Sequence, residues 1–163
     1  KEQKQIIEAM LYLKHAVTAI FVGIDGIPGA DIQAAESKGH RIIFAGRVAA
    51  KEVLPFYGLF DVKVLASTME GLSQSLLEAM YLRVPVIATA AAGNLDLIID
   101  GENGLFFQDG DVKQLAENID RLRDNTSLKE TITNNAFQTA SVDFSIENTL
   151  DGYEALLELL ING

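Results

Sequence analysis

Apolar positions along the chain follow either a helical period or short unbroken runs. Residues 4–16 place Ile6, Met10 and Leu13 on one helical face, with Ile7 and Leu11 beside it. Residues 17–22 form an unbroken apolar run that ends in a glycine-rich turn over 23–29. Residues 31–38 predict a short helix stopped by Gly39, and 41–45 a second strand that closes at Gly46. Pro55 predicts the start of a short helix, because proline is tolerated in a first turn. Residues 62–66, 84–89 and 104–107 are three more strand-like runs, and 73–82 reads as a helix between the first two. Helices then dominate. Asp111 predicts an N-cap, with Gln114 three residues on and Val112, Leu115, Ala116, Ile119 and Leu122 on one stripe. Ser127 and Glu130 have the spacing of a capping box. Ser145 predicts the cap of a last helix with an apolar face of Leu150, Tyr153, Leu156, Leu157 and Leu160.

Strands that read as continuous apolar runs are buried on both faces, and their alternation with helices means parallel pairing. The pattern therefore predicts an α/β fold: a Rossmann-like doubly wound parallel sheet with helices on both faces. Such a unit opens on a strand, whereas this chain opens on a helix. The expectation is one domain over residues 1–163 that lacks its first strand and belongs to a longer protein.

Composition narrows the function classes. With 163 residues, 48% hydrophobic and 22% charged, the chain has the make-up of an ordinary globular domain. Thirteen Lys and Arg against 23 Asp and Glu give a net charge of −10, which argues against a general nucleic-acid or anionic-membrane surface. An anionic ligand must then be held by local features. There is no cysteine, hence no thiol nucleophile and no zinc–thiolate site. No apolar run approaches the roughly 18 residues of a membrane span.

Ligands of open parallel sheets sit outside the carboxyl ends of the strands, which directs attention to four loops. In the first, Gly23, Gly26 and Gly29 follow a strand, but two residues separate the first two glycines where a dinucleotide fingerprint has one. Pro28 interrupts the turn, and the second strand ends without an acid to hold a ribose. A tight surface turn is the better reading. The third loop says more. Glu70, Gly71, Leu72 and Ser73 lie between a strand and a helix, and Glu78 sits inside that helix. The amides and dipole of such a helix start favour a phosphate. Gly71 permits close backbone approach, and Ser73 is placed to cap the helix or donate to a phosphate oxygen. Two carboxylates beside a diphosphate are reasonable only if they accept ligand hydroxyls, which suits a sugar nucleotide. By spacing alone the pattern is loose, and its default reading is a loop acid and an exposed helix acid.

The remaining candidates have plainer readings. His15 and His40, near element ends, are expected to be surface or capping residues. Lys51 and Glu52, and residues 117–125, read as solvated helix faces. Met69 lines the candidate site or fills a gap, and Tyr153 packs. Asp61, Lys63 and Thr89 do not make a convincing phosphoacceptor cluster. A non-catalytic binding or scaffold domain of the same fold remains the alternative, favoured if the loop at 67–73 collapses over the helix start.

Taken as a spaced set, these residues resemble the C-terminal, nucleotide-sugar-binding domain of GT-B glycosyltransferases of group 1 (family four). The similarity is carried by the strand over 61–67, by Glu70-Gly71 with Leu76-Leu77-Glu78-Ala79-Met80, and by the strand from Pro85 to Thr89. It continues through Gly93-Asn94, Leu97-Ile98, Asp100-Gly101, Asn103-Gly104-Leu105 and Gly110-Asp111. Phe44-Ala45-Gly46-Arg47-Val48 is similar to the family's base-binding strand end. The resemblance implies transfer of a hexosyl group from a nucleoside diphosphate sugar, with retention, to an acceptor held by a missing N-terminal domain. It implies no cofactor and no metal, a cytoplasmic location, and a parent enzyme peripheral at the inner membrane surface. It implies that Glu70 is catalytic and contacts the donor sugar, that Gly71, Leu72 and Ser73 contact sugar and phosphate, that Glu78 binds the ribose, and that the backbone at Arg47 and Val48 holds the base. Lys1 would be the family's diphosphate-binding lysine, although Glu2 follows it where the family has glycine. Other departures are Ala66 for a proline, Ala92 for the first glycine of a pair, and Arg83 for a glycine that ends the helix. Position 83 is therefore expected to form an altered C-cap.

Overall fold

All five expected strands are present in the computed structural model, which describes residues 2–162, without the side chains of 155, 156, 158, 159, 161 and 162. They are β1 (Thr18–Phe21), β2 (Arg41–Phe44), β3 (Lys63–Leu65), β4 (Val86–Thr89) and β5 (Leu105–Phe107). The helices are α1 (Lys4–Met10), α2 (Ile32–Ser37), α3 (Ala50–Tyr57), α4 (Gln74–Tyr81), α5 (Asn94–Leu97), α6 (Val112–Asp124), α7 (Thr126–Gln138) and α8 (Ile146–Asn162). A π-helical turn, Thr139–Asp143, joins α7 to α8.

All pairing is parallel, in two pieces. β1 pairs with β2, in a register that sets Phe21 opposite Phe44, and their rings stack with centroids 5.4 Å apart. β3, β4 and β5 form the other piece in that order. Among the described residues β1 and β3 are not hydrogen-bonded to one another. Helices cover both faces of the three-stranded piece. Val86 and Ala88 of β4 pack with Leu76, Ala79 and Met80 of α4 and Ala136 of α7. Ile87, on the opposite face, packs with Ala9 of α1 and with Leu115 and Leu122 of α6. Every residue of β4 is buried, as a strand sandwiched between two helical layers must be. α1 bridges the two pieces. Its Ala9 belongs to that second cluster, while Ile7 and Met10 pack with Phe21 and Ala35 beneath β1 and β2.

Several boundaries differ from the sequence expectation. α1 ends at Met10, not Ala16, because tertiary partners capture its last peptide groups. Lys38 Nζ donates to the Leu11 carbonyl at 2.6 Å, and the Lys14 amide donates to Asp120 Oδ2 at 3.3 Å. Pro55 lies in the last turn of α3, five residues after its start. There its locked φ still suits the helix, and the one bond it forgoes belongs to the exposed carbonyl residue Lys51. The cap of α7 is Asn125, whose Oδ1 accepts the Leu128 amide at 3.0 Å, and not Ser127. Asn125, at φ −121° and ψ 89°, fits neither flanking helix, so the break falls on it. Asp111 and Ser145 do cap, through the amides of Gln114 and Asn148. The segment 117–125 is not a purely solvated face. Asn118 and Asp120 are buried, and Asn118 Nδ2 donates to the Phe106 carbonyl at 2.8 Å. His40 is buried rather than superficial, and its Nδ1 accepts the Val17 amide, joining the starts of β1 and β2. On α8 the expected apolar face is open: Leu150, Tyr153, Leu157 and Leu160 are all more than half exposed, so Tyr153 does not pack, and Leu156 lies outside the described side chains.

Candidate functional site

The loop between β3 and α4 is built on a buried polar floor. Thr89, at the end of β4, is fully buried; its Oγ1 accepts the Ser67 amide at 3.1 Å and donates to the Leu65 carbonyl at 3.4 Å. Asn94 at the start of α5 is also fully buried and donates Nδ2 to the Thr89 carbonyl at 3.0 Å. These bonds tie the carboxyl ends of β3 and β4 together. Gly93 then presses on the loop from beneath. Its amide donates to the Glu70 carbonyl at 3.1 Å, and a Cβ at this position would collide with the Gly71 carbonyl group. Only glycine permits that approach. Ala92, one residue earlier, adopts φ +44°, a left-handed conformation that the glycine of the resembling family would take without strain.

Above that floor the loop is open. Gly71 and Leu72 are exposed, and Met69 is 87% exposed, so it fills no gap. A Cβ on Gly71 would meet nothing within 4 Å, and Gly71 is not in the left-handed region. The fold itself therefore does not require glycine at 71. α4 begins at Gln74 with Ser73 at the N-cap position, and no side chain caps its first turn. The Ser73 hydroxyl is buried and lies 3.3 Å from Ser75 Oγ instead, so the capping role expected for it is not seen.

Glu78 lies on α4, half-buried, with a partner that the sequence pattern did not single out. The Tyr57 hydroxyl donates to Glu78 Oε2 at 2.9 Å and lies 3.1 Å from the Ser75 carbonyl. Tyr57 is only 3% exposed and ends α3. Burial, and then the hydrogen bond to Glu78 and its negative charge, push the pKa of this hydroxyl well above the usual tyrosine range. Tyr57 thus stays a donor and holds the carboxylate in place. Twenty-one residues separate the pair in sequence, so no local signal could have matched them.

The other site residues fall as follows. Glu70 is half-buried at the lip of the loop, and its backbone is fixed by Gly93. Arg47 is exposed and Val48 half-buried in the loop between β2 and α3. That loop is braced by the one before it. The Gly23 amide donates to the Gly46 carbonyl at 2.8 Å, and Gly46 takes φ +64° with the Asp25 carboxylate lodged against it. Lys1 lies outside the described residues. Its neighbour Glu2 donates its amide to the Ala66 carbonyl at 2.8 Å, which brings the start of the chain to the end of β3. A cavity of about 270 Å3 opens there, between Glu2, Gln3 and Lys4 on one side and Ile24, Gly26, Ile27 and Pro28 on the other. The glycine turn over 23–29 is thus one wall of a cleft. Among the described residues no three His, Asp or Glu side chains are gathered closely enough to hold a metal ion, and no helix is long and apolar enough to cross a membrane.

Comparison with known proteins gives the family and the fold. The family described as Glycosyl transferases group 1 matches residues 1–139. EpsD of Bacillus subtilis (strain 168) is 30% identical over 167 residues, covering 98% of this chain and 43% of its own length. The capsular polysaccharide biosynthesis glycosyltransferase CapM of Staphylococcus aureus is 34% identical over 103 residues, 63% of this chain and 27% of CapM. The chain thus spans less than half the length of these relatives. Among solved structures, Anabaena HepE in complex with UDP superposes with a TM-score of 0.82 at 28% identity, covering 97% of this chain and 45% of HepE. The C-terminal domain of LpcC, a glycosyl transferase group 1 family protein from Francisella tularensis, superposes at 0.75 with 30% identity over 90% of this chain and 80% of that one.

Proposed function

Because the chain belongs to the group 1 glycosyl transferases, we propose that it is the half of such an enzyme that binds the nucleoside diphosphate sugar. The reading is carried by one observation: the strand-to-helix junction at 70–78 is held from below by Gly93 and braced by Tyr57, yet leaves its upper face open at Gly71. The uncapped first turn of α4 offers amides and a dipole to a diphosphate. Glu78, oriented by the Tyr57 hydroxyl, accepts the two ribose hydroxyls. Glu70 faces the transferred sugar and is the catalytic carboxylate. Gly71, Leu72 and Ser73 contact sugar and phosphate, the backbone of Arg47 and Val48 holds the base, and Lys1 neutralises the diphosphate. In this arrangement each carboxylate near the diphosphate is matched to hydroxyl donors, which offsets the repulsion between like charges.

In the transfer itself the sugar–phosphate bond breaks, an acceptor hydroxyl forms the new bond to the anomeric carbon, and the proton of that hydroxyl passes to the departing phosphate oxygen of the nucleoside diphosphate. The helix start stabilises the leaving group, the charge that grows along the reaction. We assign hexosyl transfer with retention, without a bound metal or cofactor, to an acceptor on a domain that precedes residue 1. The reading carries with it a cytoplasmic location and a parent enzyme peripheral to the membrane surface. HepE is complexed with UDP-glucose in one solved structure, which makes that nucleotide sugar the first donor to try. Calorimetric titration of the chain with UDP and UDP-glucose tests the assignment. Saturable binding is expected, weakened by Glu78→Ala by about 1.5–3 kcal/mol, or roughly 10- to 150-fold. No heat at millimolar ligand, or an affinity indifferent to Glu78→Ala, would overturn it.

A further inference from the structure

At the opposite end of α4 from Ser73, three cations converge on a groove of about 440 Å3. They are Arg83, Arg123 and Lys129, in a chain with only 13 Lys and Arg and a net charge of −10. Arg83 is the informative one. It adopts φ +59°, a left-handed conformation that costs a non-glycine residue on the order of 1–2 kcal/mol. A glycine there would carry no such strain. The arginine side chain is held rigidly despite its exposure: its Cζ lies 3.9 Å from the centre of the Phe137 ring, and Nη1 donates to Asn134 Oδ1 at 2.9 Å. One of five guanidinium N–H groups is used in that bond, and four remain for a ligand. Arg123 has no ion-pair partner among the described residues. Lys129 has a single one, Asp61, at 3.9 Å and with a fully exposed carboxylate, a pairing of little energy. The groove also contains a carboxylate, Glu130, and the hydroxyls of Thr126 and Thr133.

We propose that this groove is a second binding site, for a phosphorylated sugar. Arg83, Arg123 and Lys129 line the groove together, and guanidinium forks and an ammonium are the side-chain groups that bind a phosphate. Glu130 would repel a bare polyanion but accepts hydroxyl groups, so the ligand it fits carries a phosphate at one end and hydroxyls at the other. The volume lies within the range of small-molecule sites. The α4 helix, about 12 Å long, separates this groove from the junction at 70–78, so the two sites are read independently. The proposal does not rest on the donor-binding assignment.

Amide NMR spectra of the full chain, titrated at constant ionic strength with glucose 1-phosphate, with glucose and with inorganic phosphate, test it. Glucose 1-phosphate should shift the amides of residues 126–134 and saturate at low millimolar concentration, phosphate should act more weakly, and glucose should have no effect. The double variant Arg123→Gln/Lys129→Gln should abolish the response. Arg83→Gly, which removes the strain together with the guanidinium and so keeps the fold, should weaken it about tenfold. No shift at 126–134, or shifts confined to residues 47–48 and 70–73, would overturn the proposal. So would sedimentation with phosphatidylglycerol vesicles in the absence of any response to glucose 1-phosphate, which would make this face a lipid-headgroup surface.

Discussion

At the residue scale, the two glycines of the junction answer to different constraints, and substitution separates them. Gly93 has no room for a Cβ, because the Gly71 carbonyl occupies the place. Gly93→Ala must push the loop upward, and a loss of both stability and nucleotide binding is expected. Gly71 has open space and an unstrained φ. Gly71→Ala should leave the stability unchanged or raise it by up to about 1 kcal/mol, through loss of unfolded-state entropy. If a ligand occupies that space, the same variant should lose affinity for UDP-glucose. Thermal melts combined with calorimetry read both effects, and unimpaired binding by Gly71→Ala would count against a ligand at this face. Tyr57 is a further test. Its raised pKa means that its stabilising contribution is complete below the ordinary tyrosine pKa of about 10 and is lost only as pH rises through the higher folded value. The tyrosinate absorbance gained between about pH 9 and 11 should therefore be the same in the parent and in Tyr57→Phe. That variant should bind nucleotide several-fold less well, since Glu78 loses its brace at Oε2.

At the scale of elements, α4 shows how one helix serves two ends. Its start is left uncapped beneath an open loop, and its finish is closed by Arg83 in a conformation that glycine usually supplies. The contacts of Arg83 with Phe137 and Asn134 join this end to α7 and offset part of the backbone strain. Arg83→Ala keeps the strain and loses the contacts, so it should be destabilised by about 1–2 kcal/mol. Arg83→Gly should be the more stable of the two. Urea denaturation of both variants reads the order directly, and the reverse order would show that the left-handed conformation at position 83 is not a source of strain. Caps also explain where the pattern of the chain was legible. Asp111 and Ser145 were visible because each precedes a clear apolar stripe. Asn125 was not, because one residue ends α6 and starts α7, and a Ser–Glu pair two residues later imitates the signal.

At the scale of the whole molecule, the sheet divides between β1 and β3 while α1 packs against both pieces. The residues along these two strands are less buried than those of β4, which has a partner on each side. The amide of Glu2 already bonds to the carbonyl just beyond β3, which sets the direction from which a preceding parallel strand would arrive. In a chain extended upstream by such a strand, the amides of residues 18–21 and 63–65 should exchange with solvent more slowly than in this chain. Unchanged exchange rates would exclude pairing at that place. The open apolar face of α8 belongs to the same scale: its 3.6-residue periodicity was readable, but its exposure depends on what surrounds it.

The 3.6-residue periods and the continuous apolar runs were enough to establish a parallel α/β domain, whereas the loose spacing of Glu70, Gly71 and Glu78 pointed at one strand-to-helix junction only together with the family resemblance. Those signals are local, since burial of a strand or a helical face is recorded within a few residues of sequence. The brace from Tyr57 to Glu78, the support of Gly71 by Gly93, the convergence of Arg83 with Arg123 and Lys129, and the division of the sheet were decided only in three dimensions. Each joins residues that are tens of positions apart, and contacts of that kind leave no periodic trace along a chain.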